Sequence, residues 1–228
     1  MTKLSQAIAL ATAMTAGLVA TTTTQAEVEV AASASVANMY LWRGTNLGSQ
    51  GAEDKANAIP AISGDLKVSA SGAYAGVWTS SGDATYGQEY DIYLGYGDSV
   101  GDFSYDLSVW TYVYPDGGKS DDTFGDSTDI VLGLGFKDAS FGVYKQVGDV
   151  ADNDNIYYTL GYGFDKFSAT VGMFDQGADD ADYTHLDVSY AYNDNLSFTL
   201  SKIVDQEKDD TLDDDTQVVV SYSLPIEL

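Results

Sequence analysis

The residues able to do chemistry are few, and their spacing limits what chemistry is open. His185 is the sole histidine in 228 residues, and there is no cysteine. Asp187 stands two residues on, with hydroxyls at Thr184 and Ser189. Hydroxyl–imidazole–carboxylate catalysis needs a nucleophile held within hydrogen-bond reach of the ring. Nothing in the local spacing brings a hydroxyl there, so the chain reads as a non-enzyme with no catalytic residues. One histidine and no thiolate nearly exclude a structural zinc site, and no metal or cofactor is expected. Carboxylates are abundant. Asp121, Asp122 and Asp126 form one run, Asp149, Asp152 and Asp154 a second, and Asp175, Asp179, Asp180 and Asp182 a third. Asp205, Glu207, Asp209, Asp210, Asp213, Asp214 and Asp215 form the largest. Oxygen donors of this kind suit calcium or magnesium. None of the runs has the D-x-[DN]-x-[DN]-G loop with its distal glutamate, and a solvated acidic surface is the better reading.

The remaining candidates are set by the elements that carry them. From Glu27 onward the apolar pattern has period two: Leu196, Phe198 and Leu200 alternate with Ser197, Thr199 and Ser201, and Ile130, Leu132, Leu134 and Phe136 alternate with Asp129, Gly133, Gly135 and Lys137. Such alternation marks strands with one apolar and one polar or small face. Twelve strands are predicted, over 30–44, 59–70, 73–80, 88–97, 102–114, 127–137, 139–147, 155–164, 166–174, 183–193, 195–204 and 216–224. Short links (Ser71-Gly72, Asp98 to Gly101, Asp138, Asp165, Asp194) alternate with long ones (Thr45 to Ala58, Ser81 to Gly87, Pro115 to Asp126, Gly148 to Asp154, Asp175 to Asp182, Asp205 to Asp215). That order predicts an up-and-down antiparallel transmembrane β-barrel of about 12 strands, with both termini on the periplasmic, short-turn side. The expected division is a cleaved signal peptide over residues 1–26, with Lys3 before the weakly apolar stretch Ala7 to Ala20, and one barrel over 27–228.

Composition narrows the class. A formal charge of −25 repels phosphate backbones, so nucleic acid is excluded as a partner. The 17 Tyr, 8 Phe and 3 Trp separate the chain from acidic disordered proteins, which lack aromatics. No apolar run approaches the roughly 20 residues of a membrane helix, so a membrane-spanning form must be a closed barrel.

Alternation alone does not say which face is outside. The polar faces are rich in Gly, Ser, Thr and Asp rather than the Lys and Glu of soluble strands, which places the apolar faces toward lipid. Two aromatic girdles are expected. Tyr96, Phe103, Phe136, Phe141, Phe164, Phe167, Tyr192, Phe198 and Tyr222 would form one by the short turns, and Tyr40, Trp42, Trp78, Tyr90 and Tyr183 one by the long loops. The same parity turns Lys145 and Lys202 outward, where they would meet lipopolysaccharide phosphates. It turns Arg43, Asp65, Lys67, Asp91, Tyr93, Asp106, Asp129, Lys137, His185 and Asp187 inward as pore-lining residues. Arg43, with Asp65 or Asp91 as its partner, is the first candidate among them. An excess of interior carboxylates favours cations. The expected function is passive diffusion of ions or small solutes through a narrow, cation-leaning pore in the outer membrane. The competing readings are a non-conducting barrel whose acidic loops serve adhesion or divalent-cation binding, and a secreted soluble β protein. The oligomeric state is left open.

Tyr40-Leu41-Trp42-Arg43-Gly44 resembles the opening motif of the TorF-type porin family. The likeness continues through Pro60-Ala61, Gly64-Asp65, Gly72 to Ser80, Glu89 to Tyr96 and Tyr112 to Pro115, so it covers roughly residues 36–115. It implies an outer-membrane barrel of porin type with no catalytic residues. Thr45-Asn46 and the non-aromatic terminus Leu224-Pro225-Ile226-Glu227-Leu228 depart from that pattern.

Overall fold

The structure is a computed structural model describing residues 28–49, 59–115, 124–148, 154–177, 181–207 and 212–227. The expected signal peptide lies outside these residues, as do Asp121, Asp122, Asp149, Asp152, Asp179, Asp180, Asp209 and Asp210 of the acidic runs. In chain order the strands are β1 (Glu29–Ala37), β2 (Leu41–Trp42), β3 (Thr45–Asn46), β4 (Ala61–Ala70), β5 (Ala73–Asp83), β6 (Gly87–Val100) and β7 (Phe103–Val113). They continue with β8 (Ser127–Phe136), β9 (Ala139–Val147), β10 (Ile156–Phe164), β11 (Phe167–Asp175), β12 (Tyr183–Ala191), β13 (Leu196–Gln206) and β14 (Gln217–Ile226). All but β2 and β3 belong to one closed antiparallel barrel of twelve strands, each paired to its neighbour in sequence. β1 closes the ring between β4 and β14, with Ser33 opposite Asp65 and Ser35 opposite Ser223. The Ser35 hydroxyl donates to Ser223 Oγ at 2.8 Å across that seam. Closure leaves no unpaired edge. The even count puts β1's start and β14's end on the same side as the short turns.

Period two becomes inside and outside. On β6 Tyr93 is 4% exposed and the next residue, Leu94, 61%. Branched and long apolar side chains from every wall strand stand on the outer surface, while Asp, Ser, Thr and Tyr turn inward. The soluble reading needs the reverse arrangement, and the chain does not have it. Short turns keep strands tightly paired: Ser71 (φ +50°) and Gly72 (φ +85°) both lie in the left-handed region, the signature of a two-residue hairpin turn. A Cβ at Gly72 would come 2.7 Å from the Gly97 carbonyl oxygen, so glycine is required there.

Two expectations are corrected. All nine aromatics by the short turns lie exposed on the outer face, but the second girdle does not form as expected. Of its five members, Tyr90 is exposed on the outside, Tyr40 and Tyr183 are buried, and Trp42 and Trp78 are partly buried against interior clusters. The first wall strand ends at Ala37, seven residues before its predicted end. There Asn38 stands in for a strand residue: its side-chain amide donates to the Val218 carbonyl at 2.9 Å and accepts from the Val220 N–H at 2.7 Å. The ladder with β14 is thereby completed while the chain turns inward. Lys145 and Lys202 stand at the loop end as expected, the first beside Asp154 at 2.9 Å and the second donating to the Asp214 carbonyl at 3.0 Å.

Candidate functional site

The residues after Asn38 enter the barrel from its loop end. β2 and β3 form a small hairpin, Trp42 opposite Thr45, and a 3-10 turn at Leu47–Ser49 follows. Arg43 (φ +47°) and Gly44 (φ +82°) make its tip. A left-handed arginine is disfavoured by its Cβ, so tertiary contacts must hold it. The Thr45 hydroxyl donates to the Trp42 carbonyl at 2.7 Å, and the Leu47 N–H to the Tyr40 carbonyl at 2.8 Å.

The contacts that hold this segment come from eight strands of the wall, β5 to β12. The Arg43 guanidinium donates to Asp129 Oδ2 of β8 at 2.5 Å, both groups buried. The Tyr112 hydroxyl of β7 donates to the same oxygen at 2.9 Å. Four rings surround the cation: Trp42 at 4.4 Å, Tyr157 of β10 at 4.7 Å, Tyr144 of β9 at 5.3 Å and Phe174 of β11 at 5.4 Å from centroid to Cζ. Each attracts the cation through its negative face, and such contacts strengthen where water is excluded. The Tyr183 hydroxyl of β12 donates to the Arg43 carbonyl at 3.0 Å. Tyr40 of the same segment donates to Glu89 Oε2 of β6 at 2.5 Å and packs against Trp78 of β5. The hairpin is therefore pinned at tip and base.

His185 takes part in this clamp. Its Nδ1–H donates to Asp187 at 3.0 Å, and its Nε2 lies 2.7 Å from the Tyr157 hydroxyl. The hydroxyl beside the ring thus comes from β10, not from Thr184 or Ser189, while Asp187 holds the place its two-residue spacing suggests. The β12–β13 register shifts between Thr184 and His185, a bulge of the kind that re-aims a side chain. Gly44 packs on the imidazole so closely that a Cβ would stand 2.5 Å from Cγ. Gly44→Ala is expected to cost about 1–3 kcal/mol, as overpacking does. Combining it with His185→Ala, which opens the space, should recover part of that loss in a double-mutant unfolding cycle, because the two changes share one contact.

The other sequence-predicted residues divide between this clamp and the half of the barrel nearer the short turns. Asp91 is fully buried on β6. Asp65 accepts from the Tyr93 hydroxyl at 2.8 Å, and Asp106 from Tyr74 at 2.7 Å. Lys67 Nζ lies 5.7 Å from the Tyr74 ring. Tyr93 stacks on Trp110, with centroids 4.1 Å apart. Two assignments are corrected. Arg43 sits on the inward hairpin, not on a wall strand, and its partner is Asp129 rather than Asp65 or Asp91. Lys137 is outside the interior: β8 ends at Phe136, Lys137 takes φ +53° in the turn, and its side chain, 61% exposed, faces Asp102 at 4.0 Å. Sequence reasoning missed Glu89, Tyr144, Tyr157, Phe174 and Tyr183. Parity could have found them, since Glu89 shares the face of Asp91 and Tyr183 that of His185, while Tyr144, Tyr157 and Phe174 alternate with outward residues.

Among known proteins, the model of a family described as bacterial protein of unknown function (Gcw_chp) matches residues 21–218. No curated protein matches the chain. Similar solved structures include outer membrane phospholipase A from Escherichia coli, 11% identical over 85% of this chain and 88% of that one, with a TM-score of 0.42. A mutant of the Rh. blastica porin is 12% identical over 88% and 100%, with a TM-score of 0.41. The outer membrane protein opdK from Pseudomonas aeruginosa is 13% identical over 78% and 60%, with a TM-score of 0.38.

Proposed function

The chain belongs to the Gcw_chp family, bacterial proteins of unknown function, and we propose that this member is an outer-membrane barrel of the porin kind, passing ions or small solutes passively. The observation that carries the reading is the direction of the two faces: an apolar belt encircles the closed barrel, and charged and hydroxyl side chains fill its inside. Water-soluble monomers rarely expose a continuous apolar surface of that extent, whereas a lipid-facing barrel requires it. The aromatics around the short turns fit one headgroup interface. In this reading the leader is removed on export, both termini are periplasmic, and the long loops with Lys145 and Lys202 face lipopolysaccharide. The porin character implied by the TorF-type resemblance belongs to the same proposal.

The inward hairpin makes the pathway narrow. It occupies the loop-end half, while Ser104, Ser140, Ser168 and Thr170 face inward nearer the short turns. Interior carboxylates at Asp65, Glu89, Asp91, Asp106, Asp129 and Asp187 outnumber Arg43 and Lys67, and Arg43 is neutralised by Asp129. Such a field favours cations. The protein in planar bilayers under a salt gradient should give small conductance steps whose reversal potential has the sign of cation preference. Silence over many insertions, with folding verified by heat-modifiable gel migration, would replace this reading with the second one. That second reading has its own support in the clamp: a hairpin bound by eight residues of the wall can seal the barrel and leave the acidic loops as an adhesive or cation-binding surface.

A further inference from the structure

Beneath the hairpin, Glu89 and Asp91 point inward from the same face of β6, both almost fully buried. Glu89 is well supplied with donors: Tyr40 on Oε2 at 2.5 Å and Tyr114 on Oε1 at 2.8 Å. Asp91 is not. It is 0% exposed, and no N–H or O–H donor among the described residues reaches either of its carboxylate oxygens. Its cross-strand neighbours are Trp78 and Tyr112, and the Tyr112 hydroxyl is turned to Asp129. The charged side chains that act on Asp91 are both acidic: Glu89, within hydrogen-bond reach if one of the two carboxyls carries a proton, and Asp129; Asp83 stands near Glu89. Arg43, the cation of this region, is held by Asp129. Two buried carboxylates are thus left without a compensating charge, in a setting where such charges are retained only when paired or bound to a metal.

We propose that Glu89 and Asp91 bind a hard divalent cation of the calcium class inside the barrel. Every available donor is an oxygen: the Asp91 carboxylate as a bidentate pair, the free lone pairs of Glu89, and water. That set suits calcium, and magnesium gives up its water too reluctantly for so enclosed a position. A single proton would satisfy one oxygen of Asp91 and leave the other unmet, whereas a bidentate ion satisfies both. Among the described residues no three His, Cys, Asp or Glu side chains form a metal-holding group, so the site has two protein carboxylates and binds with modest affinity. Because Tyr40 bridges Glu89 to the inward segment, the ion also steadies the hairpin. The proposal concerns binding and holds for an open or a sealed barrel.

The test uses the full mature chain folded in detergent, with terbium as the luminescent stand-in for calcium and Tyr40 and Tyr114 as sensitisers. Wild type should show a saturable, tyrosine-sensitised emission that calcium chloride displaces. Asp91→Asn, neutral and of the same shape, should weaken this component about tenfold or more, at least the loss seen when a ligand's support is removed. An Asp205→Asn/Asp214→Asn variant in the sixth loop should leave it in place. Calcium should raise the melting temperature of wild type and not of Asp91→Asn. If Asp91→Asn loses heat-modifiable migration, Glu89→Gln supplies the same comparison. The proposal is overturned if emission is equal in wild type and both β6 variants, if it disappears with the loop variant instead, or if acidification stabilises wild type while calcium does nothing.

Discussion

Arg43→Ala is expected to destabilise the barrel by about 3–5 kcal/mol, the cost of removing one partner of a buried ion pair, and to enlarge the bilayer conductance. The loss is large because Asp129 stays behind, buried, with the Tyr112 hydroxyl as its one remaining donor among the described residues. The four rings around the guanidinium lose their cation at the same time, and the strained left-handed tip loses the contact that holds it. Denaturant unfolding in detergent measures the first effect and single-channel recording the second. Asp129→Asn, which keeps the shape and removes the charge, should reproduce most of both. A variant that unfolds with wild-type stability would show that the hairpin is not held by this pair. If stability falls while conductance stays unchanged, the hairpin contributes to the fold without restricting the path.

Leu160→Arg should cost about 2–4 kcal/mol, while Phe164→Arg on the same face of the same strand should cost about 0–1 kcal/mol. Leu160 is the fifth of nine residues in β10, and Phe164 the last. Both are exposed on the outer surface, so neither change disturbs interior packing. The difference between them therefore reports the medium outside the barrel. In lipid an arginine at mid-depth is far from water, and one at the strand end reaches the interface. If the outer belt faced water, the two substitutions would cost the same small amount. Reversible unfolding from liposomes gives both numbers in one host.

Much of the architecture was readable before any coordinates. Long and short links alternate because hairpins joining neighbouring strands place every second connection at one end of the barrel, and an even strand number follows. Boundaries were less legible. β6 runs to Val100, three residues beyond its predicted end, and β5 to Asp83, since pairing continues wherever a partner strand is available, whatever the local composition. The hairpin was hidden for a similar reason. Tyr40 and Trp42 alternate with Leu41 and Arg43 as well for an inward ribbon as for a wall strand. The cues that separate the two are backbone conformations, with positive φ at Arg43 and Gly44, and the Asn38 bonds to β14, 180 and 182 residues away.

Local periodicity determined that the chain makes strands, which side chains share a face, and how many times the sheet turns back, because side-chain direction in a strand reverses at every residue. It also singled out Arg43. What that arginine grips, which tyrosines cage it, why Asp91 lacks a donor and what fills the loop-end half of the interior were decided only by closure. Asp129 lies 86 residues from Arg43, and only a closed ring of strands brings the two to the same depth. Contacts across a barrel depend on register summed around its circumference, and no single stretch of the chain contains that sum.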